Sequence, residues 1–153
     1  MEQASFEGMA AEWPSFDIVK TKRGRMQVRY TLVDTDETLA AMLEALKDAP
    51  VIAHDTETSG LNPHLGARVC GHAFAKLGDD DRYVHTYYVP IRHMGGHNET
   101  ERQLPPEAVS AAVNTLMRAP SLKVYHHAKF DWSQCRADGI EQPRNYADVA
   151  IQA

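Results

Sequence analysis

Two acidic residues, Asp55 and Glu57, follow a short apolar segment and are separated by one residue. In a β-strand, residues i and i+2 point to the same face, so both carboxylates project together from the strand that begins at Val51. Two carboxylates on one face are costly to bring together unless a positive charge neutralises them. Mg²⁺ binds through oxygen ligands and often bridges to phosphate, so this pair predicts a divalent-metal site.

A third carboxylate, Asp131, lies in the segment Tyr125–Trp132, which reads as a short apolar strand followed by the first turn of a helix. Taken alone, an acid in a first helical turn is explained by its favourable interaction with the helix macrodipole. Next to the Asp55 and Glu57 pair, Asp131 becomes a candidate third carboxylate of the same site.

Two segments resemble the motifs of a known superfamily. Asp55–Pro63 resembles the first motif of the DEDD 3′–5′ exonucleases, and His126–Asp131 resembles the second. Tyr87–Ile91 is similar to the third strand of the proofreading domain in family A DNA polymerases. The resemblance covers roughly residues 26–153. It implies a ribonuclease H-like fold and a metal-dependent exonuclease that removes nucleotides from a DNA 3′ end in replication and repair.

The resemblance also implies a role for each acid. Two divalent ions, Mg²⁺ or Mn²⁺, would be bridged by Asp55, while Glu57 would ligate the first ion and orient the attacking water. Asp131 would support the second ion directly or through water. Such a metal pair generates a hydroxide and stabilises both the attacking and the leaving oxygen of a phosphodiester.

Four further residues match positions that contact the nucleic acid in the family. Thr58 and Leu61 would contact the terminal nucleotide, with Leu61 as an apolar wedge against the base. Phe130 lies where some members carry a supporting Tyr, and His127 lies where the family often has Asn. These assignments come from the resemblance alone.

The third motif of the family, Tyr-x-x-x-Asp or His-x-x-x-x-Asp, supplies a fourth carboxylate, and no residue after Asp148 matches it. We therefore expect a C-terminally incomplete domain with reduced activity. The alternative is a catalytically inactive nucleic-acid-binding or structural module attached to a polymerase. The implied partners are a single-stranded DNA 3′ end and a DNA polymerase domain that continues the chain. The implied location is the cytoplasm of a bacterial or phage-infected cell.

The bulk properties agree with one α/β domain. The chain has 153 residues and a net charge of −5, which argues against coating nucleic acid through bulk charge. No apolar stretch reaches the length of a membrane-spanning helix. We expect a weakly ordered leader over residues 1–24 and the exonuclease-like domain over residues 25–153. Local basic residues (Lys20, Lys22, Arg23, Arg25, Arg29) suit either a solvated strand edge or a phosphate-tracking patch.

The patterning predicts a mixed sheet: an antiparallel three-strand meander followed by β-α-β units, with helices on both faces. An Asp34/Glu37 capping box is predicted to start the first helix. The predicted strands are Met26–Val33, Val51–Asp55, Arg68–Leu77, Tyr83–Ile91 and Leu122–Tyr125. Asn145–Asp148 is predicted to be a last strand or the entry to a helix, and the predicted helices are 36–48, 105–118 and 129–137.

Other chemistries have weaker support. A zinc site at His93 and His97 is disfavoured, because two glycines between them oppose a helical pair and no Cys lies nearby. Ser59 is not in a Gly-x-Ser-x-Gly elbow, and a phosphate-binding loop ending in Lys-Ser/Thr is absent from the sequence. Cys70 and Cys135 are expected to be buried reduced thiols rather than a disulfide.

Overall fold

The computed structural model describes residues 16–21, 24–78, 83–94 and 102–151. After an initial hairpin, a helix precedes three consecutive strands, and strands and helices alternate from there on. The strands are β1 Phe16–Thr21, β2 Gly24–Leu32, β3 Val51–Thr58, β4 Val69–Leu77, β5 Tyr83–Pro90, β6 Leu122–Tyr125 and β7 Tyr146–Asp148. The helices are α1 Asp36–Leu46, α2 Pro106–Arg118 and α3 Ala128–Arg136, with a short 3₁₀ turn over Pro63–Leu65.

The strands form one mixed sheet in the order β1-β2-β5-β4-β3-β6-β7. β3 pairs antiparallel with β4, and β4 pairs antiparallel with β5, which confirms the predicted meander. β6 pairs parallel with β3, and β7 pairs parallel with β6, which confirms the β-α-β units. β3 therefore lies inside the sheet with a partner on each side, and it carries the first predicted motif.

The three helices contribute to one core on one face of the sheet, whereas helices on both faces were predicted. The reason lies in the crossovers. The chain passes from β2 to β3, from β5 to β6 and from β6 to β7, always in the same direction along the sheet. Right-handed crossovers that advance in one direction place their helices on one face. In the described part of the chain, the opposite face carries no helix.

The first helix begins one residue later than the predicted cap. Thr35 is the N-cap, and its hydroxyl accepts from the Thr38 backbone N–H, while the Thr38 hydroxyl accepts from the Thr35 N–H. The predicted Asp34/Glu37 pair was therefore wrong, because a threonine pair makes the same reciprocal bonds. The apolar face of α1 buries Leu39, Met42 and Leu46.

Strand β1 lies inside the segment that was predicted to be a weakly ordered leader, and it pairs antiparallel with β2. Residues 1–15 lie outside the described residues, as do Lys22 and Arg23 of the predicted basic patch. Further along β2, the Arg29 guanidinium stacks 4.0 Å from the centre of the Tyr83 ring on β5.

Both cysteines are free thiols as predicted, but only Cys135 is buried, while Cys70 is half-buried.

The core also contains one cation, Lys123 on β6, whose side chain is fully buried. Its ammonium donates to the Ala119 carbonyl, at 2.7 Å, and to the carbonyl and hydroxyl oxygens of Ser121. Lys123 therefore satisfies backbone oxygens left free where α2 ends, which is a structural role.

No helix in the described ranges is long and apolar enough to cross a membrane.

Candidate active site

Strand β3 separates its side chains between the two faces of the sheet. Ile52, His54 and Thr56 are buried against the helices, whereas Asp55 and Glu57 lie on the exposed side. Both acids therefore share one face, as the strand geometry predicts. Their neighbours on β4 are small, because Ala73 is opposite Asp55 and Gly71 is opposite Glu57. The small residue opposite Glu57 leaves room for the Tyr88 side chain, whose hydroxyl lies 2.3 Å from the position that a Cβ of Gly71 would take.

Asp131 approaches this strand from the helical side. It lies in the first turn of α3, its side chain is 1% exposed, and its Oδ1 accepts a 2.7 Å hydrogen bond from the Thr56 hydroxyl. Its Oδ2 is buried without a hydrogen-bond partner. Burial raises the pKa of Asp131 to about 6; the Thr56 bond opposes this shift, and the negative charge of Asp55 adds to it. Asp55 and Glu57 thus lie on the exposed side of β3, and Asp131 lies on its helical side beside Thr56.

Helix α3 is anchored by Asp148, a residue distant in sequence. His127, just before the helix, adopts left-handed backbone angles (φ 68°, ψ 52°), and its side chain makes no capping bond. The Asp148 carboxylate at the end of β7 accepts from the backbone N–H groups of His127 and Ala128, at 3.0 and 2.9 Å. It also accepts from Ala150 N–H at 3.0 Å. Burial opposes ionisation, but these three donors hold the pKa of Asp148 below its ordinary value.

The predicted nucleotide-contacting residues lie in different settings. The Thr58 hydroxyl donates to the Gly60 carbonyl at 2.9 Å, so it stabilises the turn after β3. The Leu61 side chain is 85% exposed, which leaves it available for contact with a base. Phe130 is half-buried and His127 is exposed. The structure therefore places Leu61 and His127 at the surface and Thr58 within a local turn.

Two residues of this region were not predicted. Thr56 lies between the paired acids and binds Asp131. Gln134 is fully buried, and its Nε2 donates to the carbonyls of Gly60 and Leu61 at 3.3 and 3.2 Å. Gln134 follows Asp131 by three residues and therefore shares its helix face, a spacing that the sequence shows. This residue connects α3 to the turn that presents Leu61.

The helix-free face of the sheet forms a groove of about 750 Å³ beside the acids. Its lining is mostly apolar, although Asp55 and His126 lie at it. Much of its floor consists of the small side chains Ala53, Ala73, Ala75, Thr86 and Val124. Asp55 thus borders this apolar groove, whereas Glu57 is outside its lining.

The fold and the acids together define a nuclease class. The chain belongs to the 3′–5′ exonuclease family, whose model matches residues 30–153. Among curated relatives, DNA polymerase I of Pseudomonas aeruginosa is 36% identical over 107 residues, which is 69% of this chain and 11% of that protein. DNA polymerase I of Chloroflexus aurantiacus is 29% identical over 124 residues, 80% of this chain and 12% of that protein. The chain therefore spans about a tenth of the length of these relatives.

Solved structures show the same DEDD-exonuclease fold. RNase D of Trypanosoma brucei in complex with RNA U12 superposes with a TM-score of 0.57 at 18% identity, covering 78% of this chain and 37% of that one. The catalytic core of RRP6 from the same organism has a TM-score of 0.56 at 20% identity, covering 80% and 29%. These similarities confirm the predicted ribonuclease H-like mixed sheet.

Proposed function

We propose that the chain carries the metal-binding carboxylates of a 3′–5′ exonuclease that removes nucleotides from a DNA 3′ end. Asp55, Glu57 and Asp131 would hold two divalent ions, Mg²⁺ or Mn²⁺. The observation that supports the proposal is that Asp55 and Glu57 share a face of β3 while Asp131 binds Thr56, the residue between them.

The donor set fits hard divalent cations. Carboxylate oxygens are the ligands that Mg²⁺ and Mn²⁺ prefer. Asp131 offers a buried Oδ2 without a hydrogen-bond partner, and a buried carboxylate oxygen of this kind is costly unless a cation or donor satisfies it. When bound, the metal pair supplies an activated water and stabilises the charge that develops on the phosphodiester.

The chain's own residues have positioning roles in this proposal. Glu57 accepts a hydrogen bond from the attacking water and so orients it. The exposed Leu61 packs against the terminal base, and Gln134 holds the Leu61 backbone in place. Exposed His127 and half-buried Phe130 would contact the strand end beside Asp131.

DNA is the proposed substrate because the curated relatives are DNA polymerases, and a polymerase domain is the proposed neighbour. A single-stranded end suits the proposed roles, because the exposed Leu61 side chain would pack against a terminal base that is unpaired. RNase D was solved with RNA, so an RNA strand of the same sequence belongs in the assay. Faster cleavage of RNA than of DNA would overturn the choice of substrate.

The test uses 5′-labelled single-stranded DNA with EDTA, Mg²⁺ or Mn²⁺. We expect metal-dependent shortening from the 3′ end that Asp55→Ala abolishes. Changing groups that only orient metal ligands costs about 10- to 100-fold, so losing Asp55 or Glu57 should cost at least about 100-fold. Glu107→Gln, which alters an exposed acid on α2, is the matched control and should keep full activity.

The second candidate is a module that binds nucleic acid without cutting it. It is favoured by the setting of Asp148, whose carboxylate accepts three backbone N–H groups and is therefore occupied in capping rather than free to ligate a metal. Fluorescence anisotropy with the same DNA separates the candidates. Binding without metal-dependent shortening would establish the module, and cleavage that survives Asp55→Ala would refute the proposed site.

A further inference from the structure

A second cluster of metal-ligating side chains lies inside the core, on the opposite side of β3 from Glu57. His54 on β3, His72 on β4 and Cys135 on α3 are all buried, at 3%, 0% and 4% exposure. One ligand atom from each residue lies within 4.8 Å of the other two. His54 Nε2 and His72 Nδ1 are 3.1 Å apart.

We propose that His54, His72 and Cys135 bind one zinc ion, separate from the carboxylate site. Zinc accepts imidazole nitrogen at about 2.0–2.1 Å and thiolate sulfur at about 2.3 Å, so tetrahedral donors lie roughly 3.3–3.6 Å apart. The two imidazole nitrogens are already close to that spacing. Small side-chain rotations bring the sulfur to the same ion, and a water molecule fills the fourth position.

The two imidazoles are prepared for metal binding. Both rings are almost fully buried, and His54 Nε2 faces His72 Nδ1 at 3.1 Å. Nδ1 of His54 lies 3.2 Å from the Tyr125 hydroxyl, which in turn donates to Met117 Sδ. An N–H donated from the far nitrogen of a ligating histidine fixes its tautomer, so His54 is oriented to ligate through Nε2.

The charge balance also suits a cation. Burial raises the pKa of the Cys135 thiol, and the negative charges of Asp131 and Asp138 raise it further. A metal ion reverses this effect because a coordinating thiol is deprotonated outright. One zinc ion, one thiolate and two neutral imidazoles leave a net charge of about +1, which the Asp131 carboxylate offsets, because Asp138 is already paired with Arg92.

The core at this point is unusually polar. His72 Nε2 is buried without a hydrogen-bond partner, whereas His72 Nδ1 bonds to His54 Nε2 and His54 Nδ1 bonds to Tyr125. An unpaired buried polar group costs about 1–3 kcal/mol, so an apolar residue would pack at the His72 position at lower cost. Zinc on His72 Nδ1 would replace the bond to His54 and leave Nε2 unpaired, so the support for the site is the approach of the three donor atoms.

The test is Co²⁺ binding, because tetrahedral Co²⁺ with a thiolate ligand has a near-ultraviolet charge-transfer band. The full chain is unfolded and refolded under reducing conditions with Co²⁺ and excess Mg²⁺. Refolding is needed because the ligands are buried, and Mg²⁺ saturates the carboxylates. We expect one equivalent of Co²⁺, a charge-transfer band and its loss when Zn²⁺ is added.

The two cysteines offer a matched pair of variants. Cys135→Ser should abolish the charge-transfer band, whereas Cys70→Ser should keep it, because Cys70 lies outside the cluster. If Cys135→Ser does not fold, alkylation of the unmodified chain replaces it, and bound Zn²⁺ should protect Cys135 but not Cys70. Absence of the band in the unmodified chain, or its survival in Cys135→Ser, would overturn the zinc site and leave the exonuclease proposal untouched.

Discussion

Replacing Asp131 by asparagine should make the metal-free protein more stable at alkaline pH. The carboxyl is 1% exposed, and its pKa is raised from the ordinary 3.8 to about 6, so the folded state holds the proton more tightly than the unfolded chain does. The protonated carboxyl therefore makes its full contribution to the stability of the fold below pH 3.8, and this contribution is lost as the pH rises through about 6. The asparagine side chain keeps an acceptor for the Thr56 hydroxyl and carries no charge.

The magnitude follows from the same shift. A rise of roughly two pH units in a buried carboxyl pKa corresponds to about 3 kcal/mol at pH values well above both pKa values. Near pH 4 most of this cost is absent. The free energy of unfolding of the Asp131→Asn variant relative to the unmodified chain should therefore rise by about 2–3 kcal/mol between about pH 4 and about pH 8.

Urea denaturation in EDTA measures this difference, and taking it between the two chains cancels the other titrating groups. Adding Mn²⁺ near pH 8 should then stabilise the unmodified chain but not Asp131→Asn, because a ligand that binds only the folded state raises its stability. A difference that stays constant with pH would refute the proposed burial cost of the Asp131 charge. Equal stabilisation of both chains by Mn²⁺ would refute its role as a metal ligand.

Three further substitutions test the framework around the acids. Asp148→Ala should lower the melting temperature by at least about 3 °C and speed amide exchange in the first turn of α3, because three N–H groups lose their acceptor. Gly71→Ala should lower the free energy of unfolding by about 1–3 kcal/mol, since a Cβ there lies 2.3 Å from the Tyr88 hydroxyl. Gly60→Ala should be tolerated, because the nearest atom to a Cβ at that position is 3.4 Å away. Arg92→Lys should lower the free energy of unfolding by about 1.5–3 kcal/mol, because lysine cannot make the two parallel 2.9 Å bonds that Arg92 makes to Asp138.

Each of these has a clear contrary result. Asp148→Asn keeps one acceptor oxygen and should fall between the unmodified chain and Asp148→Ala; equal loss in both variants would argue against the capping role. Equal effects of Gly71→Ala and Gly60→Ala would show that the close approach on β4 does not constrain that position. Full stability of Arg92→Lys in chemical denaturation would mean that the paired geometry is unimportant.

The zinc candidate shows where sequence spacing was uninformative. His93, weighed as a ligand with His97, instead pairs its ring with the Tyr88 hydroxyl, and His97 lies outside the described residues. The cluster that the fold does assemble joins residues from β3, β4 and α3. Because its members are far apart in sequence, local spacing carries no signal for it.

The sequence by itself determined the elements from β2 onward and the two acidic motifs, whereas β1 was missed. Alternation along β3 requires Asp55 and Glu57 to share a face, and the antiparallel meander follows from short connections between patterned strands. These features depend on neighbouring residues only, so they can be read from local pattern. The family resemblance rests on the same short segments.

Only the tertiary structure decided which groups meet. Asp131 reaches Thr56 because α3 packs against β3, and Asp148 caps that helix because β7 lies beside β6. The apolar groove next to Asp55 exists because three crossovers run in one direction and place their helices on one face. Contacts of this kind depend on the order of strands in the sheet, which no local pattern encodes.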